Sequence, residues 1–161
     1  MALSLQEISD RIEIEDLLQR YTAAIDAKDW DLLDTVFAPD ATLDYTSSGG
    51  PVGPYPEVKA WLQRALALFP MTHHMIGKST VRLDGDRAEC RTIFYNPMGM
   101  AIDEQGRFVA EGPGAGQHVF VVGGFYNDTC ARTPDGWRII RKVEEQSYLT
   151  GGFPEGFEVP Q

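Results

Sequence analysis

Apolar residues recur at helical spacing through the first 70 residues and at every second position after that. Ile8, Ile12, Leu17, Leu18, Tyr21 and Ile25 mark one stripe of a helix over about residues 5–27, with Glu7, Asp10, Arg11, Glu13 and Arg20 mostly off it. Ser4 and Glu7 have the spacing of a capping box, in which each side chain bonds the other residue's backbone N–H. Asp29 can cap a short second helix carrying Leu32, Leu33, Val36 and Phe37. Ala38-Pro39-Asp40 stops that helix, because proline disfavours helix in the residue before it. Ala41 to Tyr45 reads as a short strand, and the Gly- and Pro-rich stretch 46–56 as loop. Pro56 suits the first turn of a third helix, whose stripe is Val58, Trp61, Leu62, Ala65, Leu66 and Phe69.

Beyond residue 71 the period is two. Thr72–Leu83 and Arg87–Asn96 flank Asp84-Gly85-Asp86, a hairpin signal. Arg87, Glu89 and Arg91 share one face of the second strand; Ala88, Cys90, Thr92, Phe94 and Asn96 share the other, so the sheet has a wet face and a covered face. Residues 97–116, with five glycines and two prolines, read as a long mobile loop. Gln117–Arg132 and Trp137–Tyr148 form a second hairpin around Thr133-Pro134-Asp135-Gly136. In the remaining tail, Phe153 and Phe157 can pack back onto the body. Three helices followed by long antiparallel strands make an α+β domain, and a strongly twisted sheet over helices leaves a conical hollow.

Composition narrows the function. The chain has 161 residues, 14 basic and 24 acidic, a net charge of −10, which argues against nucleic-acid partners and anionic membrane surfaces. Hydrophobic residues are 43% and charged residues 24%, the balance of a folded domain. No apolar run is long enough to span a bilayer, and the start lacks the pattern of a signal peptide. The only cysteines, Cys90 and Cys130, lie within strands and read as buried thiols of a cytoplasmic protein. No zinc-ligand spacing or nucleotide-binding loop occurs, so neither metal nor cofactor is expected.

His73 and His74 are adjacent in a strand and so point to opposite faces. Asp26, at the end of the first helix, shares a side with Tyr21 and Ile25. An acid is disfavoured at the negative end of a helix and costly to bury alone, so an imidazole N–H is its natural partner. Tyr45 and Tyr21 are candidate donors to a substrate oxygen. Asn96 either bonds substrate or terminates its strand, and His118 either lines the hollow or sits beside the loop. Trp61, Phe94, Phe120 and Phe37, with Leu66 and Phe125, are wall candidates.

The segments IEDLLQRYTAAIDAKDWDLLDTVFAPDATLDY, THHMIG, DGDRAECRT and GGFYNDTCARTPDGWRIIRK resemble the SnoaL-like branch of the nuclear-transport-factor-2 (NTF2-like) superfamily, the branch grouped with scytalone dehydratase and bile-acid dehydratases. The resemblance spans residues 5–148. It implies an NTF2-like cone over residues 1–148, three N-terminal helices on a strongly curved, mostly antiparallel sheet, with 149–161 as a C-terminal tail. By position, Asp26 matches the aspartate that orients the catalytic histidine and His74 matches that histidine. Tyr45 matches a substrate-holding tyrosine, and Tyr21 resembles the helix-one tyrosine of the bile-acid enzymes. Ile25 stands where scytalone dehydratase has a tyrosine, and its second histidine has no secure match, so the scytalone reaction itself is not expected. Strict alternation with Val81 and Leu83 selects His73 as the inward residue; His74 faces in only if a bulge intervenes, with Gly77 as its place.

The resemblance implies a cofactor-independent lyase or isomerase using His–Asp acid–base chemistry on a small apolar cyclic substrate, steroid-, polyketide- or aromatic-derived. The alternative is a non-catalytic binder of hydrophobic small molecules or a small subunit of a larger oxygenase-type complex. An exposed sheet face bearing Val119, Val121 and the Trp137/Ile139 side predicts a homo-oligomer, a dimer or trimer.

Overall fold

Ser4 and Glu7 close the capping box as their spacing predicts, and α1 runs from Leu5–Ala27. The computed structural model describes residues 2–159; residues 160–161 of the expected tail lie outside it. The helix ends at Lys28, whose N–H donates to the Ile25 carbonyl and whose left-handed conformation turns the Asp29 N–H back to the Ala24 carbonyl. Its inward face differs from the predicted stripe in the first two turns. Ile8 and Ile12 are 42% and 57% exposed, whereas Asp10 is buried with Ile14, Leu17, Leu18 and Tyr21. Asp10 tolerates burial because Arg132 Nη2 (2.6 Å), Gln6 Nε2 (2.9 Å) and Trp137 Nε1 (3.3 Å) all donate to it. Burial pushes its carboxyl up, but these bonds outweigh that and hold it below its ordinary value.

Asp29 caps α2 (Trp30–Asp34) by accepting from the Leu32 N–H. β1 (Phe37–Asp44) starts four residues earlier than predicted and takes Phe37 from the second helix. The stretch read as loop contains a short 3-10 turn, Thr46–Ser48, and an edge strand β2 (Val52–Pro54). Pro54 fits there because β2 is the last strand on that side. Pro56 lies in the first turn of α3 (Tyr55–Leu66), which buries Val58, Trp61, Leu62, Ala65 and Leu66.

The single long strand predicted over 72–83 is three pieces: β3 (Met71–Thr72), β4 (Met75–Ile76) and β5 (Thr80–Asp84). All three pair with β6 (Arg87–Ile102). The register slips by one residue between Ile76↔Phe94 and Thr80↔Arg91, which places a bulge over residues 77–79. β6 continues through Pro97, so the loop predicted for 97–116 shrinks to 103–115. Pro97 stands opposite His73, whose N–H donates to the Pro97 carbonyl at 3.1 Å; the return bond that proline cannot give is replaced by the Asn96 amide nitrogen, 3.3 Å from the His73 carbonyl. β7 (Gly116–Thr133) and β8 (Gly136–Thr150) form the expected hairpin.

The sheet order is β2-β1-β8-β7-β6-β3, with β1 parallel to β8 and every other pairing antiparallel. The three helices and this mixed, curved sheet form the α+β architecture expected. Trp137 and Ile139 are buried within the chain's own core, so they cannot supply the interface proposed for them. The exposed apolar side chains of the outer sheet face are instead Met75, Ile93, Tyr95, Val119 and Tyr148. Cys90 and Cys130 are free and buried.

Candidate active site

The bulge decides which histidine faces in. It offsets His74 from Val81 by one position, so both point inward while His73 is exposed. His74 Nδ1 lies 2.6 Å from Asp26 Oδ1. The His74 backbone N–H donates to Asp26 Oδ2 at 2.7 Å, and the Thr72 hydroxyl donates to Oδ1 at 2.8 Å. The acid therefore grips both the ring and the main chain of one residue. The side chains are 5% exposed for His74 and 22% for Asp26. Partial burial pushes the Asp26 carboxyl up; the bonds and charge of His74, with Thr72, outweigh it and hold the acid below its ordinary value.

Asn96 completes the histidine's setting. With its amide nitrogen donating to the carbonyls of Pro97 (3.2 Å) and His73 (3.3 Å), its oxygen accepts from His74 Nε2 at 3.1 Å. Both ring nitrogens then face oxygen atoms that can accept a hydrogen bond. When the ring is neutral, Asp26 keeps the proton on Nδ1 and leaves the lone pair on Nε2.

His74 opens onto an interior cavity of about 120 Å³. Its walls are largely apolar, including Trp61, Leu66, Phe69, Phe94, Met98 and Phe120. Tyr21 and Tyr45 share a hydrogen bond of 2.8 Å between their hydroxyls and border the same space. Tyr126, which sequence reasoning missed, stacks on Phe94 at 4.3 Å and lies 6.3 Å, ring to ring, from His74. Burial pushes all three phenols well above their ordinary value, so each stays a proton donor. The tail closes one side: Phe153 packs on Phe120 (5.1 Å) and Phe157 on Phe69 (5.7 Å).

Four expected site or wall residues lie elsewhere. Phe37 is buried core against Tyr55 (4.8 Å) and Tyr21 (6.0 Å), because it belongs to β1 and points beneath the cavity lining. His118 donates from Nε2 to the Gly152 carbonyl at 3.0 Å and clasps the tail outside the cavity. His73 contributes only backbone. Phe125 also faces outward, under the Arg91 guanidinium at 3.8 Å. Trp61, Phe94, Asn96 and Phe120 do border the cavity.

Beneath Tyr21 and Tyr126 lies a fully buried ion pair. Lys142 Nζ is 3.1 and 3.3 Å from the two Asp128 oxygens, and 3.9 and 3.8 Å from the centres of the two phenol rings. Burial pushes Asp128 up and Lys142 down, each offset in part by the other's charge. Among the described residues no group of three or more His, Cys, Asp or Glu is placed to hold a metal ion. No helix among them is long and apolar enough to cross a membrane.

The SnoaL-like domain profile matches residues 6–143, most of the chain. The protein belongs to the SnoaL-like family. Its relatives include the uncharacterized protein Rv2910c of Mycobacterium tuberculosis, 47% identical over 146 residues that cover 91% of each chain. Among solved structures, Kfla4162 from Kribbella flavida is 30% identical with a TM-score of 0.73, over 88% of this chain and 93% of that one. Hexachlorocyclohexane dehydrochlorinase LinA-type3 from Novosphingobium barchaimii shares the fold at 15% identity, TM-score 0.71, over 97% and 99%. SnoaL-like membership and these neighbours agree with the NTF2-like architecture built above.

Proposed function

We propose that this SnoaL-like protein is a cofactor-independent lyase or isomerase of the dehydratase type, using His74 and Asp26 for acid–base catalysis on a small apolar cyclic substrate. The observation that carries this reading is the 2.6 Å Asp26–His74 contact opening onto an unfilled apolar cavity. His74 Nε2 takes a proton from a carbon next to a carbonyl. Asp26, held ionised, stabilises the imidazolium that forms, and a Tyr21 or Tyr45 hydroxyl donates to the developing enolate oxygen. In the charged state the Asn96 oxygen accepts a hydrogen bond from the protonated Nε2. The cavity is near the roughly 150 Å³ that holds one benzene, so it suits one ring of a substrate. Larger polyketide or steroid substrates require the tail to yield.

The test is α-proton exchange on a single-ring ketone, 2-cyclohexenone, followed by proton NMR in heavy water. Wild type is expected to catalyse exchange, and His74→Ala to lose about 10²–10⁴-fold, the usual worth of general acid–base transfer. Equal rates in both proteins would remove His74 as the base. Saturable binding without exchange would favour the non-catalytic binder. The chain is also proposed to self-associate through the outer face of Met75, Ile93, Tyr95 and Tyr148, to be checked by light scattering of wild type against Tyr95→Lys; a monomeric wild type at micromolar concentration would refute it.

A further inference from the structure

Buried carboxylates in this protein are otherwise matched: Asp10 and Asp26 each accept from three donors, and Asp128 pairs with Lys142. Glu144 departs from that rule. Its Oε1 is closed off from solvent and has no hydrogen-bond partner among the described residues. Yet Glu144 borders the same cavity as His74. It stands opposite Tyr126 in the β7–β8 register, so it lies three strand steps, about 14 Å of backbone, from β4 across a concave sheet. A ring held between them meets His74 on one side and an idle carboxyl oxygen on the other.

We propose that Glu144 is a second acid of the site, which binds an oxygen substituent of the substrate and donates its proton to it. This deepens the dehydratase-type reading and rests on it. In an elimination, His74 Nε2 takes the proton from the carbon next to the carbonyl, and that C–H pair becomes the new C=C bond. The C–O bond breaks with its electrons on oxygen, which takes the Glu144 proton and leaves as water. His74 is then an imidazolium and Glu144 a carboxylate, and a water molecule relays the proton from one to the other.

The neutral acid form has physical support. Burial pushes Glu144 up, and the Ser48 hydroxyl and Lys142 charge pull it back only in part. The groups facing it are Lys142 with Asp128 and the phenols Tyr21, Tyr45 and Tyr126. Lys142 is already matched by Asp128, so Glu144 has no dedicated counter-charge.

Infrared difference spectra of wild type minus Glu144→Gln at neutral pH should show a protonated-carboxyl stretch; carboxylate bands alone would overturn the proposal. Affinities for 3-hydroxycyclohexanone against cyclohexanone supply the second arm, because only the first carries an oxygen substituent where a leaving group would sit. Wild type and His74→Ala should prefer the hydroxylated probe about tenfold, the worth of one hydrogen bond, and Glu144→Leu should lose that preference. An unchanged preference in Glu144→Leu, with normal exchange by wild type, would refute the Glu144 proposal alone. A lost preference with no exchange by wild type would support the ligand contact while overturning the proton transfer and the catalytic reading together.

Discussion

Replacing Asp26 with Asn changes one atom, and the structure says what that atom does. Asp26 accepts from the Thr72 hydroxyl, the His74 backbone N–H and His74 Nδ1, all within 2.8 Å. An amide offers one oxygen and one NH₂. If the NH₂ takes the Oδ2 place, it faces a backbone N–H, a donor that cannot change, and leaves it unpaired at a cost of about 1–3 kcal/mol. If the NH₂ takes the Oδ1 place, the Thr72 hydroxyl can rotate and His74 can move its proton from Nδ1 to Nε2. The second arrangement is cheaper, and the Asn96 oxygen, 3.1 Å from Nε2, is there to accept a hydrogen bond from Nε2–H. The Asp26→Asn protein should therefore fold, hold His74 as the Nε2–H tautomer, and present no lone pair to a substrate. Proton exchange on 2-cyclohexenone should fall about 10²–10⁴-fold, or roughly 3–5 kcal/mol of barrier. Long-range ¹H–¹⁵N NMR of labelled histidine reads the tautomer without any substrate. A variant that keeps the proton on Nδ1 and loses less than a factor of about ten would refute the reasoning.

Three further outcomes follow from the same geometry. The raised folded-state value of Glu144 means that the unfolded chain loses this proton first as pH climbs through about 4.5, its ordinary value, so wild-type stability falls from there until the folded carboxyl also ionises. Glu144→Gln should melt like wild type in acid and higher than wild type at neutral pH, by about 1.4 kcal/mol per pH unit of that window; calorimetry across pH checks it. Lys142→Met leaves Asp128 buried without a partner and should cost about 3–5 kcal/mol in urea denaturation, while Lys142→Met with Asp128→Leu should recover most of it. A single variant as stable as the double would contradict the ion-pair reading. Ending the chain after Gly152 removes Phe153 and Phe157 from the cavity wall, so it should speed entry of 2-cyclohexenone and weaken its binding, measured by stopped flow and calorimetry.

Patterns that depend on neighbours along the chain were legible, and those that depend on the far side of the sheet were not. The Ser4–Glu7 cap, the Asp29 cap, Pro56 and the two hairpins are local chemistry, and each sits where its residues say. Asp10 was not legible, since the donors that let it displace Ile8 and Ile12 from the covered face are Arg132 and Trp137, more than 120 residues away. Pro97 looked like a strand end for a similar reason: only the partner strand shows that the His73 carbonyl, left without a proline N–H, takes its hydrogen bond from the Asn96 amide instead.

The site divides along the same line. Asp26 was conspicuous because an acid at a helix C-terminus lacks a local reason to be there, and that anomaly led to its partner. Glu144 left a fainter mark. Simple alternation from Trp137 and Ile139 would turn Arg141, Val143 and Glu145 inward, but a bulge at residue 140 shifts the face to Lys142, Glu144 and Gln146. Gly124 accompanies this stretch, because a Cβ there would collide with the Glu145 carbonyl. The available signal was weak: after Ile140 Val143 is the only apolar residue before Tyr148 in a strand that still had to pack, so polar residues must face the interior there. Both bulges, at 77–79 and at 140, act alike. Each inserts one residue and so turns a titratable side chain toward the cavity while the apolar residues on the bulge's other side, Val81 in one case and Trp137 and Ile139 in the other, keep the core, and so a sheet patterned for stability also carries His74 and Glu144 on its inner face.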